Sequence, residues 1–325
     1  MLWRNLSARG ECFLTFAALF NSKMKIKGNT VLVTGGCSGI GKIMARLCLE
    51  KGARQVIIWD INDKAVDSTV RELSAIGRIS GFRADIADPA SVDTAFAATK
   101  AVCGDVDILI NNAGIITNNR TFAEQTDIDI IRTIDINTKG AMFVTLRYIR
   151  DMKARRYGHI CNITSSAGML ALPKMALYTS SKWAAIGWSE SLRIELSREK
   201  SPVRVTTVAP YFINTGMFDG IHSFFKIQDP EKVARKAIKA VEKNKLYKGI
   251  PFTEHFIRLM QGIFPQSIFD FIFGDVCGLY TVMDHFTGRK NNGTTHEHVF
   301  RKNITTGSQP EIILRERENP QRKLA

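Results

Sequence analysis

Features that the 325-residue sequence lacks exclude several protein classes. Its six cysteines form no CxxC pair and no metal-ligand spacing, so we expect no bound metal and no disulfide framework. Free thiols of this kind indicate a reducing compartment, and we expect a cytoplasmic protein. The formal net charge is +14, yet no Lys/Arg run with interleaved aromatic residues occurs. We therefore expect no nucleic-acid partner.

An apolar run long enough to span a bilayer is also missing. The run Cys12–Phe20 is too short, and it offers only a poor cleavage site for a signal peptide. We expect residues 1–26 to be a disordered leader or an upstream extension, with Met24 as the natural start; a hydrophobic anchor is the alternative. Residues 287–325 are polar, which predicts a mobile tail.

A glycine-rich turn follows the first predicted strand, Asn29–Thr34, and precedes a helical pattern. In this context, backbone N–H groups and the helix N-terminus can hold a pyrophosphate. A turn without a ligand is the alternative. The pattern assigns the following residues to a dinucleotide: Gly35, Ser38, Gly39, Ile40 and Gly41.

Asp60 ends the second predicted strand, Gln55–Trp59. An acidic side chain roughly 20 residues beyond the glycines accepts hydrogen bonds from the adenosine ribose. A carboxylate there repels a 2′-phosphate, and neither Ser38 nor Ile61 is a basic residue that would bind one. The sequence therefore predicts NAD as the cofactor in preference to NADP.

Two further strand ends carry candidate cofactor residues. Asp85 and Ile86 follow the strand Ile79–Ala84, where Asp85 either accepts a hydrogen bond from the adenine amino group or caps the next turn. After the strand Val106–Ile110, small residues would let the ribose and nicotinamide pack against the backbone. The residues assigned here are Asn111, Ala113 and Gly114.

Six predicted strands alternate with helices at short spacing, the last two being His159–Thr164 and Val203–Val208. This alternation predicts an α/β fold in which helices cover both faces of a doubly wound parallel sheet, the three-layered Rossmann fold. We expect one domain over residues 27–286. Ligands of such sheets bind beyond the carboxyl ends of the strands, where the candidate residues converge.

Tyr178 and Lys182 are four residues apart in a predicted helix, so their side chains share one face. An ammonium group favours phenolate and lowers the pKa of a phenol, which is ~10 when unperturbed and too high for proton exchange at neutral pH. Asn137 lies within a long helical pattern from about Glu124 to Lys153, where asparagine is unfavourable. An exposed position is the simple explanation, and a buried position requires hydrogen-bond partners.

These motifs resemble the short-chain dehydrogenase/reductase family in its single-domain form. Thr34–Gly41 is similar to the family's cofactor motif, and Asn111–Gly114 is similar to its strand-four motif. Trp59–Asn62 and Pro210–Gly216 resemble the branch that acts on retinoids, steroids and other lipophilic alcohols. Tyr211 departs from the wider family, which usually has glycine there. The family's catalytic tetrad matches at Asn137, Ser165, Tyr178 and Lys182.

The resemblance implies an NAD-dependent oxidoreductase that interconverts a lipophilic secondary alcohol and a ketone, or a primary alcohol and an aldehyde, by direct hydride transfer without a metal. Tyr178 would be the acid/base. Lys182 would hold the nicotinamide ribose and lower the pKa of Tyr178, aided by the positive nicotinamide ring and by partial desolvation. Ser165 would bond the substrate oxygen, Asn137 would hold a water, and Thr215 would bond the carboxamide. A homodimer or homotetramer is the expected assembly.

The residues after Thr215 would shape the pocket for a small lipophilic substrate. Residues 216–226 form either a lid over the ligand or a loop packed on the core, and residues 230–244 predict a basic, solvated helix. The phenylalanine-rich residues 252–286 predict a core or subunit-interface segment, with a substrate channel or a peripheral membrane contact as alternatives.

Two other functions remain open from the sequence. A non-catalytic NAD-binding or membrane-associated scaffold would use the same fold, although an intact tetrad counts against it. A sugar-nucleotide epimerase would need differently spaced glycines and a larger substrate domain.

Overall fold

Seven parallel strands form one sheet in the computed structural model, which describes residues 23–223 and 225–288. The strands lie in the order β3-β2-β1-β4-β5-β6-β7, which reverses direction between β1 and β4. This is the predicted doubly wound Rossmann fold, and its switch point is where ligands bind. The strands are β1 (Thr30–Thr34), β2 (Gln55–Asp60), β3 (Ile79–Arg83), β4 (Ile108–Asn111), β5 (His159–Ile163), β6 (Arg204–Pro210) and β7 (Tyr247–Ile250).

Helices cover both faces of the sheet. A π-helical turn, Asp135–Gly140, joins the helices Asp127–Ile134 and Ala141–Ala154, and a second one, Asp270–Val276, follows the helix Gln266–Phe269. The helices are α1 (Gly39–Glu50), α2 (Asp63–Leu73), α3 (Pro89–Cys103), α4 (Asp127–Ile134), α5 (Ala141–Ala154), α6 (Ala176–Arg198), α7 (Pro230–Glu242), α8 (Thr253–Ile263) and α9 (Gln266–Phe269).

Side-chain caps explain where several helices begin. The Oδ1 atom of Asn62 accepts a hydrogen bond from Ala65 N at the start of α2, and Asp88 Oδ1 accepts from Ala90 N at the start of α3. Asp229 accepts a hydrogen bond from Lys232 N at the start of α7. Helices α3 and α7 both have proline in the first turn. Such caps satisfy backbone donors that a helix leaves free, and proline needs no donor there.

Successive residues of the strands feed two cores, because side chains alternate between the faces of a sheet. Val31 and Val33 pack on the face covered by α1 and α7, whereas Leu32 packs on the face covered by α3, α5 and α6. A third cluster lies at the carboxyl end of the sheet and is built from residues around the end of β6 and from α8, α9 and the turns after them.

The structure differs from the sequence-based expectation at three places. Strand β7 was missed, because Tyr247–Ile250 is short and contains lysine and glycine. The basic helix α7 is solvated on one side only, since Val233, Ala237 and Val241 are buried against the first core. The core begins at Met24 and Ile26, which are buried, rather than at residue 27.

The C-terminal helices are fixed to the sheet by a buried acid. Glu254 in α8 accepts hydrogen bonds from the hydroxyl of Tyr247 and from Ile250 N, both at 3.0 Å. Burial raises the pKa of Glu254 to about 8, although both donors oppose that change. Residues 252–286 therefore pack on the core along one side, as predicted. Among the described helices, none is both long enough and apolar enough to cross a membrane.

The predicted leader and tail fall almost entirely outside the described residues. Residues 1–22 and 289–325 lie outside them, so the expected leader and tail remain predictions. The described residues belong to one compact unit.

Candidate active site

The turn between β1 and α1 has the backbone geometry of an anion cradle. Gly35 and Gly39 adopt φ values of +62° and +51°, which favour glycine. A Cβ atom on Gly35 would lie 2.9 Å from Ala113 Cα, and one on Gly41 would collide with the carbonyl oxygen of Gly35. The chain can turn tightly and bring α1 close to β1 only because these residues lack side chains.

The N-terminus of α1 is prepared for a negatively charged ligand. Ser38, its N-cap, makes no side-chain cap hydrogen bond, and no acidic residue lies in the first turn. A Cβ atom on Gly39 would meet only Thr215, at 3.7 Å, so the approach to the helix is open. Free backbone N–H groups at a helix N-terminus attract anions. These residues fit the pyrophosphate of a dinucleotide.

Asp60 lies beside this turn at the end of β2. Its Oδ2 atom accepts a hydrogen bond from Cys37 N and its Oδ1 atom accepts one from Asn62 N, both at 3.2 Å. These bonds hold the carboxylate next to the glycine turn, as a ribose-binding residue would need. In the sheet register Asp60 lies opposite Arg83, an exposed basic residue that the sequence reasoning did not consider.

Asp85 and Ile86 do not line the cleft. Asp85 Oδ1 accepts a hydrogen bond from Ala87 N at 3.0 Å and so closes a local turn, while the cap of α3 is Asp88. Ile86 is buried and packs against Gly140. A Cβ atom added to Gly140 would lie 2.6 Å from Ile86 Cδ1. Their assignment to the cofactor remains a prediction.

Asn111 lies beneath the cleft rather than along it. Its Nδ2 atom donates to Thr145 Oγ1 at 2.9 Å and to Asn162 Oδ1 at 2.8 Å, and the side chain is buried. Asn162 in turn donates to Ser189 Oγ at 2.8 Å, which ties the sheet to α6. The neighbour Asn112 lines the cleft instead. These hydrogen bonds give Asn111 a positioning role under the cleft, and its assignment as a cofactor contact remains a prediction.

Residues Asn112, Ala113 and Gly114 form the cleft wall after β4. Asn112 Nδ2 donates to Thr34 O at 3.0 Å and to Gly35 O at 3.2 Å, which ties this segment to the glycine turn. A Cβ atom on Gly114 would lie 3.4 Å from Lys182 Nζ. Gly114 therefore lies directly beside the Lys182 amino group.

Three of the four predicted catalytic residues line one cleft. Ser165, Tyr178 and Lys182 are 9%, 7% and 5% exposed, and all three line the cleft together with Thr215. Helix α6 presents Tyr178 and Lys182 on one face, with Lys182 Nζ 5.6 Å from the centre of the tyrosine ring. Ser165 follows β5, and its Oγ atom accepts a hydrogen bond from Ala167 N at 3.1 Å.

Asn137 is buried, so the exposed position suggested by the sequence is wrong. It lies in the π-helical turn Asp135–Gly140 and is 3% exposed. Its Nδ2 atom donates to Ile115 O at 2.9 Å and to Ser181 Oγ at 3.1 Å, and its Oδ1 atom accepts from Ile115 N at 2.8 Å. Asn137 thus holds the segment after β4 against α6. The predicted water next to it stays a prediction.

The electrostatics of the pair differ from the expectation in one respect. Burial raises the pKa of Tyr178 to about 12, opposed by a hydrogen bond with Ser165, because desolvation disfavours phenolate. Burial also lowers the pKa of Lys182 to about 8. Desolvation therefore works against the predicted activation of the phenol. Desolvation thus favours the neutral form of both side chains.

The cleft wall opposite the glycine turn is apolar. Phe218 packs edge-on against the Tyr178 ring at 5.8 Å and against Phe212 at 5.0 Å. Met217 and Phe218 line the cleft, and Ile221 belongs to the third core cluster. Residues 216–223 therefore both cover the cleft and pack on the core, which combines the two predicted alternatives.

A parallel sheet with an anion-binding turn and a buried serine–tyrosine–lysine group at the same cleft defines a dinucleotide-dependent oxidoreductase. The sequence model of the family described as short chain dehydrogenase matches residues 29–224. The chain belongs to the short-chain dehydrogenase/reductase family, as its motifs predict. It is an NAD(P)-dependent oxidoreductase that acts on CH–OH groups.

Curated relatives match most of the chain. Epidermal retinol dehydrogenase 2 from Mus musculus is 33% identical over 285 residues, covering 85% of this chain and 91% of the relative. Short-chain dehydrogenase/reductase 3 from Homo sapiens is 31% identical over 264 residues, covering 80% and 86%. Estradiol 17-beta-dehydrogenase 11 from Pongo abelii is 30% identical over 257 residues, covering 78% and 85%.

Solved structures share the fold. A metagenomic short-chain oxidoreductase in complex with NADP is 25% identical, with a TM-score of 0.59, and covers 69% of this chain and 96% of that chain. A short-chain dehydrogenase/reductase from Burkholderia phymatum in complex with NAD is 22% identical, with a TM-score of 0.67, and covers 74% and 95%.

Proposed function

We propose that the protein interconverts a lipophilic alcohol and its ketone or aldehyde by direct hydride transfer with NAD, and that Tyr178 is the acid/base. The observation that carries this proposal is that the buried Tyr178 lines the same cleft as the glycine turn and the apolar side chains of Met217 and Phe218. A polar substrate would lose its hydration against these apolar side chains, whereas an apolar one gains about 25 cal/mol per Å² of buried surface. Relatives named as retinol and estradiol dehydrogenases support this substrate class.

The side chains of the cleft have distinct tasks in this reaction. Ser165 holds the substrate oxygen beside Tyr178. In oxidation, the phenolate of Tyr178 takes the hydroxyl proton while the hydride leaves the carbinol carbon; in reduction, the phenol returns that proton to the carbonyl oxygen. Lys182 as ammonium stabilises the phenolate. Bound NAD supplies the hydride acceptor and, when oxidised, a positive charge near the phenol.

The size of the required pKa change supports a role for two positive charges. Lowering the pKa of Tyr178 from about 12 to ~7 needs about 7 kcal/mol. One positive charge at 5.6 Å, the distance of Lys182 Nζ from the ring centre, gives about 3 kcal/mol at an effective dielectric constant of about 20. Lys182 alone is insufficient. A second positive charge, which an oxidised nicotinamide would supply, would have to provide the remaining ~4 kcal/mol.

The Tyr178→Phe variant tests the proposal. It keeps the ring but removes the proton donor, so we expect turnover of steroid, retinoid and long-chain alcohols to fall about 10²–10⁴-fold while NAD binding stays unchanged. Turnover is measured by NADH absorbance and binding by calorimetry. Tyr157→Phe is the matched control, because Tyr157 is an exposed residue just before β5, at the amino end of the sheet and away from the cleft.

Two results would contradict the proposal. Retained turnover in Tyr178→Phe would remove the tyrosine from the chemistry. If the unmodified protein binds NAD but turns over no member of the panel, the alternative of a non-catalytic scaffold is favoured.

The preference for NAD over NADP rests on Asp60, whose carboxylate lies beside the glycine turn. Arg83 on the adjacent strand is the side chain that would oppose this preference by attracting a 2′-phosphate. We expect the carboxylate to dominate, because its hydrogen bonds to Cys37 N and Asn62 N hold it at the turn.

Asp60→Asn tests this preference, because it keeps a hydrogen-bonding group and removes the negative charge. We expect kcat/KM for NADP to rise about 10-fold or more relative to NAD, equivalent to about 1.4 kcal/mol. Adding Arg83→Ala should reverse part of that gain. An unmodified protein that prefers NADPH would show the assignment of Asp60 to be wrong.

A peripheral membrane contact is the further part of the proposal. Seven large apolar side chains on the outer side of α8, α9 and the following turn are exposed, and the inner side of the same segment belongs to the cluster that walls the cleft. The exposed lysines Lys243 and Lys245 lie just before this segment and would favour an anionic surface. The exposed residues are Phe252, Phe256, Leu259, Ile263, Ile268, Phe271 and Val276.

Flotation with phosphatidylserine-containing vesicles tests this contact. We expect the protein to float with the vesicles and a variant with serine at positions 252, 256 and 259 to remain in the dense fraction. Serine at the exposed apolar positions 131, 146 and 194 is the matched control. Equal flotation of both variants would exclude the α8 surface. The expected homodimer or homotetramer remains a prediction, which light scattering of the same samples measures.

A further inference from the structure

We infer that a hydrogen bond between Tyr211 and Ser223, the latch, holds residues 212–223, the cover, over the cleft. Tyr211 thereby determines which substrates enter. The inference rests on the proposed function, since it concerns the same lipophilic substrate site.

The latch joins the side chain of Tyr211, which precedes the cover, to the side chain of Ser223, the last residue of the cover. The Tyr211 hydroxyl lies 2.8 Å from Ser223 Oγ, and Ser223 Oγ also accepts a hydrogen bond from Phe225 N at 3.1 Å. Tyr211 itself is anchored at the end of the sheet, where its N atom donates to Ile250 O at 2.7 Å. The fixed end of the latch is therefore the sheet, and the other end is the cover.

A row of aromatic rings connects the latch to the catalytic phenol. Tyr211 packs edge-on against Phe212 at 4.8 Å, Phe212 against Phe218 at 5.0 Å, and Phe218 against Tyr178 at 5.8 Å. Tyr211, Phe212 and Phe218 all line the cleft. A shift of the cover therefore moves the ring that faces the acid/base.

The backbone of the cover has a left-handed conformation at two glycines and is attached to the rest of the protein at several points. Gly216 and Gly220 adopt φ values of +81° and +83°, on either side of Phe218. The base of the cover is held by Ile213, which pairs with Gln228, and its rim is held by the hydrogen bond from Thr287 N to Asp219 O. Ser223 lies between these two attachments and follows His222, whose N atom donates to Val282 O at 3.3 Å, so the latch adds a side-chain contact to these backbone hydrogen bonds.

The ring and the hydroxyl of Tyr211 have separable effects. The hydroxyl closes the cover, and its loss should weaken binding of every substrate by about 2–10-fold, the range of a typical hydrogen bond. The ring fills space in the cleft, and its loss should admit bulkier alcohols. Burial raises the pKa of Tyr211, so its hydroxyl keeps its proton at neutral pH and remains able to donate.

Tyr211→Phe, Ser223→Ala and the double variant test the latch without removing the ring. Hydrogen exchange of residues 216–223, followed by mass spectrometry in the NAD-bound protein, should increase in all three. The double variant should exchange no faster than Ser223→Ala, which lacks the latch and also the hydrogen bond from Phe225 N. KM for straight-chain alcohols from octanol to hexadecanol should rise about 2–10-fold with kcat changed less. Ser68→Ala and Tyr157→Phe, which lie outside the cleft, are the matched controls.

Tyr211→Ala adds the test of specificity. We expect its ratio of kcat/KM for a polycyclic alcohol to that for octanol to exceed the ratio in Tyr211→Phe at least 10-fold. Unchanged exchange in Tyr211→Phe, or exchange effects that add in the double variant, would overturn the latch. An unchanged ratio in Tyr211→Ala would overturn the specificity role. Hydrogen exchange does not depend on turnover, so an inactive but latched protein would contradict the proposed function alone.

Discussion

Burial of Tyr178 and Lys182 at one cleft is the constraint on which the rest of the structure depends. Desolvation favours the neutral form of both groups, so the pKa of the phenol rises while that of the ammonium falls. In the proposed reaction, Lys182 and the positive ring of an oxidised nicotinamide would together stabilise the phenolate of Tyr178. Formation of the base would then depend on occupancy of the cofactor cradle.

The remainder of the fold holds these two groups against the cradle. The parallel sheet brings the ends of β1, β4 and β5 to one edge, and α6 crosses that edge with both side chains on one face. Asn137 fixes the segment after β4, and Gly114 of that segment lies beside Lys182. Beneath the cleft, Asn111, Asn162 and Ser189 join the sheet to α6 through buried hydrogen bonds. In the proposed reaction each of these is a positioning contact, and the chemistry belongs to the residues that line the cleft.

Local patterns in the sequence predicted much of this arrangement. Features that depend on strand register or on burial could not be predicted from the sequence. The glycine turn and the four-residue spacing of Tyr178 and Lys182 are encoded within a few residues of chain, and both lie where they were expected. Asn111 and Asn112 point to opposite sides of the sheet, and the strand register that decides which one lines the cleft is a tertiary property. Strand β7 depends on pairing with β6 rather than on its own composition. The sign of the desolvation effect on Tyr178 follows only once its burial is known.

The central claim is that hydride passes directly between the cofactor and the carbinol carbon of a lipophilic alcohol while Tyr178 carries the proton. A long-chain alcohol and a sterol, each deuterated at the carbinol carbon, measure this most directly when incubated with NAD and the protein. The account predicts one deuterium in the reduced cofactor, detected by mass spectrometry, and none from deuterated water with unlabelled alcohol. Reduced cofactor without substrate-derived deuterium would contradict it, as would NAD binding with no reduction by either alcohol.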